Sequence, residues 1–317
     1  MAVLQKKKKE SFWRSILWAL VIALIIRSFF VEAFRIPSGS MKNSLLVGDY
    51  LFVNKLSYYF KTPKYIPFTS KKIPYIGFKT FGVDRGDVVV FEFPGDRDLV
   101  TPSELNINYI KRCIGLPGDT VQVIDKQVFV NGKAMPNPPQ MRHLERKWGH
   151  IQGMYGLQYI DTIITSTKGE TEPNIFPTGK QGWNRDWYGP IRIPKSGDVL
   201  QLTPENIQEW EVFIRREGHT VTVDPNHTIT IDEKPTNQYI VERDYLWMMG
   251  DNRHQSSDSR YWGFCPYENV VGSALFMYWS WYTNTESLPP GTQREGYDEE
   301  EEQSFHIRWN RLLNIVH

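Results

Sequence analysis

Two hydroxyls flank a glycine in Ile36-Pro37-Ser38-Gly39-Ser40-Met41, directly after an apolar N-terminal segment. A serine is a poor nucleophile near neutral pH unless a base takes its proton. No histidine of this chain sits in a recognisable hydrolase motif, so the base has to come from another residue type. The best candidate is Lys111 in Tyr109-Ile110-Lys111-Arg112, just before the turn Gly115-Leu116-Pro117-Gly118-Asp119. An unperturbed lysine, with a pKa of about 10.4, is neutral in roughly one molecule in 2,500 at pH 7. Burial penalises the ammonium form and can lower that pKa by several units. Tyr109, Ile110, Cys113 and Ile114 give Lys111 mostly apolar neighbours in a strand-like run. Arg112 is expected to face water, because adjacent side chains of a strand point to opposite faces.

A third polar stretch, Gly250-Asp251-Asn252-Arg253-His254-Gln255-Ser256-Ser257-Asp258-Ser259-Arg260, stands inside otherwise β-rich sequence. Taken singly, Lys111 reads as a lysine at a strand edge, and Ser40 alone is no more telling. Taken together, three separate segments fit one mechanism, nucleophile plus lysine base, a known variant of hydroxyl catalysis. These stretches resemble bacterial type I signal peptidase, a membrane-anchored Ser/Lys protease. The resemblance runs from the apolar segment through residues 36–55, 85–93, 109–121 and 246–266, and to Ile307-Arg308-Trp309-Asn310-Arg311 near the C-terminus. It implies Ser40 as nucleophile, Lys111 as general base and Ser38 as an oxyanion-hole donor beside the nucleophile's own N–H. It further implies that Ser256 hydrogen-bonds and orients the lysine. Asp258 would pair with Arg260 or Arg253 to hold that loop. Ile36, Pro37, Met41, Leu45, Tyr109 and Ile110 match the family's shallow apolar substrate pocket, which takes small-x-small cleavage sites. Neither metal nor cofactor is implied, so chelators are expected to leave the reaction untouched. The partners the resemblance implies are secretory preproteins and membrane lipid, with no nucleic acid. One departure is Lys42-Asn43-Ser44-Leu45, where many relatives carry a proline at the position of Asn43.

Such a site needs elements to hold it. Lys6 to Lys9 precede an apolar segment from about Phe12 to Phe34, uninterrupted over Ile16 to Ile26. That reaches the ~20 residues a helix needs to cross a bilayer. The lysines predict a cytoplasmic N-terminus and an extracytoplasmic remainder, and the resemblance implies that the membrane is the bacterial inner one. A cleaved secretory signal, with Val31-Glu32-Ala33 imitating a small-x-small site, is the competing reading. A buried core helix is the third. Six residues separate Phe34 from Ser40, at most about 20 Å of extended chain, so the nucleophile stays near the membrane surface.

Beyond the anchor, Gly48-Asp49, Gly86-Asp87, Gly118-Asp119 and Gly197-Asp198 each precede a run rich in apolar or β-branched residues. Glycine supplies positive φ, aspartate hydrogen-bonds its own turn, and branched residues favour extended chain. The expected fold is mainly β: an N-terminal transmembrane helix, then an antiparallel β catalytic core with a second, inserted β-rich domain. The divisions expected are 1–35 for stub and anchor, 36–135 plus 245–317 for the core, and 136–244 for the insert. A short helix is predicted from Thr203-Pro204-Glu205-Asn206 to about Glu217, and near-helical apolar spacing over Phe305 to His317. Asp298 to Glu302 reads as a solvated acidic linker. Aromatics make up 14% of the chain, with 11 Trp, which suits either a membrane interface or a β core. Tyr58 to Phe81, rich in Tyr, Phe, Pro and Lys, could likewise be an interfacial anchor or a loop across the sheet. Cys113 and Cys265 lack metal-ligand spacing and read as buried free thiols. A net charge of +1 points to no polyanion-binding surface.

A non-catalytic membrane-anchored β scaffold binding envelope proteins is the alternative function, but it would require Ser40, Lys111 or Ser256 to be missing. Other hydrolase readings lack support, since the chain has no Ser-x-x-Lys, Gly-x-Ser-x-Gly, His-Glu-x-x-His or P-loop motif.

Overall fold

The computed structural model describes residues 2–63, 69, 71, 73–74, 76–96, 107–149, 158–177, 180–283 and 305–316. A helix runs over Ala2–Phe29. Its stretch Phe12–Phe29 is long and apolar enough to cross a membrane and is not covered by the rest of the protein. Eighteen residues at 1.5 Å each span roughly 27 Å, close to the hydrocarbon thickness. Phe12, Trp13, Leu17 and Trp18 are all more than half exposed, as side chains meant for lipid rather than a protein core would be. The apolar run expected to continue to Phe34 stops sooner. Val31–Arg35 is a strand, paired antiparallel with Asp49–Asn54. Once outside the bilayer, these residues satisfy their backbone groups on a neighbouring strand instead of within a helix.

The main sheet places Val31–Arg35, Asp49–Asn54, Val270–Thr283, Val88–Glu92, Asn108–Gly115, Tyr245–Met249 and Cys265–Pro266 side by side in that order. Every pair along this path is antiparallel. The four Gly-Asp turns behave as their chemistry demands. Each glycine has φ between +84° and +100°. Each aspartate accepts the N–H three residues back, from Leu46, Asp84, Leu116 and Lys195. At Gly48 no other residue fits, since a Cβ would lie 1.9 Å from the Trp281 carbonyl oxygen.

A second layer is built on Thr120–Ile124 and Gln127–Val130, joined through Asp125 and Lys126 at positive φ. Tyr188–Arg192 pairs with the first of these strands and Lys133–Ala134 with the second. One hydrophobic cluster unites Val121, Val123 and Val128 with Ile191, Ile193 and Ile214, and with Trp247 and Phe264. Residues 136–244 therefore share a core with the hairpin that precedes them. The predicted helix is present as Ile207–Arg216.

The C-terminal segment corrects its helical expectation. Phe305–Ile307 is a strand on Val270–Thr283, followed by one 3-10 turn at Trp309–Arg311. Leu313 has φ +62°, which an α-helix does not accept. Arg311 instead ties the segment down, donating to the buried Asp49 carboxylate and to the Ser44 carbonyl. Phe81, Phe78 and Ile76, at the end of the Tyr58–Phe81 stretch, are exposed. Tyr65 to Phe68 and the acidic run Asp298–Glu302 lie outside the described residues. Cys113 and Cys265 are both free and buried, as expected.

Candidate active site

The chain leaves its first strand at Arg35 and makes a single 3-10 turn over Gly39–Met41. Three contacts fix this turn. The Ser40 carbonyl accepts the Asn252 N–H at 3.0 Å. Asn252 Nδ2 donates to the Gly39 carbonyl at 3.3 Å. The Met41 side chain is fully enclosed, its sulfur accepting the Asp251 N–H at 3.3 Å. The Ser40 hydroxyl is thereby aimed across the sheet, and Ser38 Oγ lies 3.4 Å from it.

Lys111 comes from the middle of Asn108–Gly115, paired opposite Val89. Its Nζ is 2.7 Å from Ser40 Oγ and donates to the Ile110 carbonyl at 3.1 Å. The amine also lies 5.1 Å from the centre of the Tyr109 ring. Only 4% of the residue is exposed, and 6% of Ser40. Burial pushes the Lys111 amine down to about 8, working against the Asp258 and Asp251 charges, which favour its protonated form. This is the pair the sequence singled out, brought within proton-transfer distance.

The Gly250–Arg260 loop closes the site from the other side. Asp258 and Arg260 form a buried two-bond pair, Nε to Oδ1 at 2.9 Å and Nη2 to Oδ2 at 2.8 Å. Burial alone would raise the Asp258 carboxyl, but the Arg260 charge and its hydrogen bonds hold it below the usual value. Of the two arginines expected as partners, Arg260 takes the role. Arg253 is buried and instead offers its carbonyl to Arg260 Nη2 at 2.5 Å.

Ser256 requires a correction. Its hydroxyl is buried and makes no well-formed hydrogen bond to Lys111 among the described residues; the charged group it serves is the Asp258 carboxylate, which it helps to hold ionised. It lies against Gly250, where an added Cβ would be 2.3 Å from Ser256 Oγ and 2.6 Å from the Ser40 carbonyl oxygen. The lysine takes its orientation from Ser40, from the Ile110 carbonyl and from its packing.

Arg112 also departs from expectation. Rather than facing water, it is 5% exposed and grips Asp251 through Nε at 2.8 Å and Nη2 at 2.7 Å. The far face of its strand is covered by the same loop, so alternation moves Arg112 into a second buried site. Asp251 accepts a further bond from Ser44 Oγ at 2.5 Å, linking the nucleophile's loop to the strand of the lysine. Gly250, Asp251 and Asn252 thus position the site. Sequence reading quoted them without assigning them, and their signal was the density of polar groups in a β-rich context.

Of the residues matched to the substrate pocket, Pro37 is exposed and Tyr109 and Ile110 are partly so. Ile36 is 3% exposed, while Met41 and Leu45 are wholly enclosed at 0%. Met41 and Leu45 therefore form the floor beneath the nucleophile, in one cluster with Ile36, Val88 and Val90, rather than a surface a substrate touches.

The family described as signal peptidase, peptidase S26, matches residues 9–279. The chain is 33% identical to signal peptidase I of Pseudomonas aeruginosa, over 93% of its own length and 82% of that protein. It is 32% identical to signal peptidase I of Buchnera aphidicola, covering 90% and 81%. With signal peptidase I of Rickettsia conorii the identity is 29%, covering 88% and 84%. A match over most of the chain, on a β fold behind an apolar helix that brings serine and lysine together, means that this protein belongs to the signal peptidase family, peptidase S26.

Proposed function

We propose that this chain removes N-terminal signal peptides from preproteins as a membrane-anchored serine endopeptidase, with Ser40 as nucleophile and Lys111 as general base. The observation that carries the reading is the 2.7 Å separation between a buried hydroxyl and a buried amine whose proton affinity is lowered. With its pKa near 8, roughly one Lys111 in ten is neutral at pH 7, against one in 2,500 for an unperturbed amine. The neutral amine accepts the Ser40 Oγ proton as Oγ attacks the scissile carbonyl carbon. The developing oxyanion is received by the Ser40 N–H and the Ser38 hydroxyl. The lysine ammonium then protonates the departing amine, the new N-terminus of the mature protein, and leaves an acyl ester on Ser40. A water, deprotonated by the regenerated neutral Lys111, attacks the ester; the lysine ammonium returns the proton to the departing Ser40 Oγ, and the signal peptide leaves with the new carboxylate.

The Asp258–Arg260 pair supports this arrangement by holding the loop that covers it, and Arg253 and Ser256 belong to the same packed unit. Pro37, Tyr109, Ile110 and the edge of Ile36 form the surface for small residues at and before the cut. Lys6 to Lys9 orient the helix with its N-terminus in the cytoplasm and the β domain outside, against the lipid of the bacterial inner membrane. Residues 136–244 act as an insert on the 36–135 and 245–317 core, using the hairpin at 120–130 as their platform. A net charge of +1 gives no reason to include a nucleic-acid partner.

The non-catalytic scaffold remains the contrasting hypothesis, and one assay separates the two. Purified wild-type protein in detergent cleaves a preprotein. Ser40→Ala and Lys111→Ala each lose that activity while keeping the circular dichroism of the parent. Full cleavage by Lys111→Ala would remove the lysine from the mechanism.

A further inference from the structure

Outside the dyad, two histidines and a carboxylate meet where the 136–244 segment docks on the Gly250–Arg260 loop. The Arg142 N–H donates to the Asp251 carbonyl at 2.9 Å, and the Arg142 carbonyl accepts the Arg253 N–H at 2.7 Å. This parallel bridge brings His143 beside His254, the rings edge to face with centroids 5.0 Å apart. Asp186 completes the group. Its Oδ1 is 2.8 Å from His254 Nε2, and its Oδ2 accepts the Ser166 N–H at 2.8 Å. The side chains of His254 and Asp186 are entirely enclosed.

With Nε2 committed to the carboxylate, His254 is left with Nδ1 as its acceptor, and that atom is buried without a partner. The same holds for Nδ1 of His143. Two neighbouring imidazole nitrogens without partners, one ring held by a carboxylate on its far side, form the arrangement by which proteins present histidine to a metal ion. Ligand atoms from the three residues lie within 4.8 Å of one another. An ion with bonds near 2.0–2.1 Å holds tetrahedral ligands roughly 3.4 Å apart, so side-chain rotations of about 1 Å close the site. Both rings bind such an ion only in their neutral form. Arg253 and Lys126 oppose any cation placed here. Their presence disfavours hard ions such as Ca²⁺ and Mg²⁺, which rely on oxygen ligands and charge, and favours one that bonds well to imidazole nitrogen.

We propose that the imidazoles of His143 and His254 bind one Zn²⁺-class divalent ion, with Asp186 orienting the His254 ring from its far side, tying the 136–244 segment to the loop that carries Ser256 and Asp258. The site is structural. Ser40 and Lys111 neither use nor touch it, so its failure would leave the protease reading intact.

The test uses tag-free full-length protein in detergent, stripped with a chelator. It is titrated with Zn²⁺ by calorimetry and with Co²⁺ by visible absorption. One Zn²⁺ per chain, Co²⁺ d–d bands of a low-coordinate nitrogen/oxygen site, and a Zn²⁺-dependent rise in Tm are expected. His143→Gln should weaken binding at least tenfold and remove the Co²⁺ bands, and Asp186→Asn should weaken it about 10–100-fold. His219, flanked by Asp232 and Glu242 on the exposed side of the insert, is the control, and His219→Gln should bind normally. Absence of saturable one-to-one binding by wild type overturns the proposal. So does undiminished binding by His143→Gln, or binding lost in His219→Gln.

Discussion

The acid limb of the pH–rate profile is the sharpest consequence of burying Lys111. The perturbation is pH alone, and the magnitude follows from the amine's environment. Burial lowers the Lys111 pKa from 10.5 to about 8 against two carboxylate charges that pull the other way. If only the neutral amine works, kcat/KM rises tenfold per pH unit below about 8 and levels above it. Activity at pH 6 is then about 100-fold under the plateau. An amine left in water would place the bend near 10.4, so the rate would still climb tenfold per unit between pH 8 and 10. The assay is cleavage of a synthetic peptide spanning a signal-peptide cut, in detergent, at low substrate concentration. Intact fold is checked by fluorescence at each pH. A bend below about 6.5, or a profile peaking near pH 5, would refute the lysine base and point to a carboxylate or histidine.

Three further outcomes follow from the same geometry. Lys111→Met should be inactive yet more stable than wild type by up to about 3 kcal/mol near pH 7, because it removes a buried amine that must be charged there. The sign is specific: the folded-state pKa is depressed, so wild-type stability rises as pH goes from about 8 to 10.5, and the variant's advantage shrinks over that window. Denaturant unfolding at pH 7 and pH 10 checks this, and an equal advantage at both would contradict it. Ser38→Ala should lower kcat by about 10²–10³ with little change in KM, as loss of one oxyanion donor does, and steady-state kinetics separates the two. Arg260→Ala strands the enclosed Asp258 carboxylate and should cost about 3–5 kcal/mol, read as a large fall in Tm; a shift within error would mean that the pair carries little of the loop.

The two halves of the site reach each other by contacts of long sequence separation. Ser40 meets Lys111 because Asn108–Gly115 lies three strands from Asp49–Asn54, with Val270–Thr283 and Val88–Glu92 between them in the sheet. The polar loop then bridges both: Asn252 holds the Ser40 carbonyl, while Asp251 joins Ser44 to Arg112. Rigidity here comes from hydrogen-bonded groups with little exposure, which water cannot compete for. Asn43, standing where many relatives have proline, adopts φ +82°, a conformation that proline cannot reach and that asparagine tolerates.

Much of this was legible in the chain. The Gly-Asp turns, the strands after them, the Ile207–Arg216 helix and the apolar N-terminal segment are set by short-range sterics and local hydrogen bonds. Those forces act between residues a few positions apart. Serine and lysine could be named because their residue types restrict the chemistry. Other features depended on which strands became neighbours. Arg112 is buried because its far face is covered by a loop from more than a hundred residues away. Met41 and Leu45 lie beneath the nucleophile rather than on a surface. Ser256 packs on Gly250 and turns to Asp258 instead of the lysine, and the C-terminal segment is a strand because an edge of the sheet was open to it. His143, Asp186 and His254 converge for the same reason. Sequence carries local propensity directly, but strand order and register decide which distant side chains meet, and burial then fixes their charge.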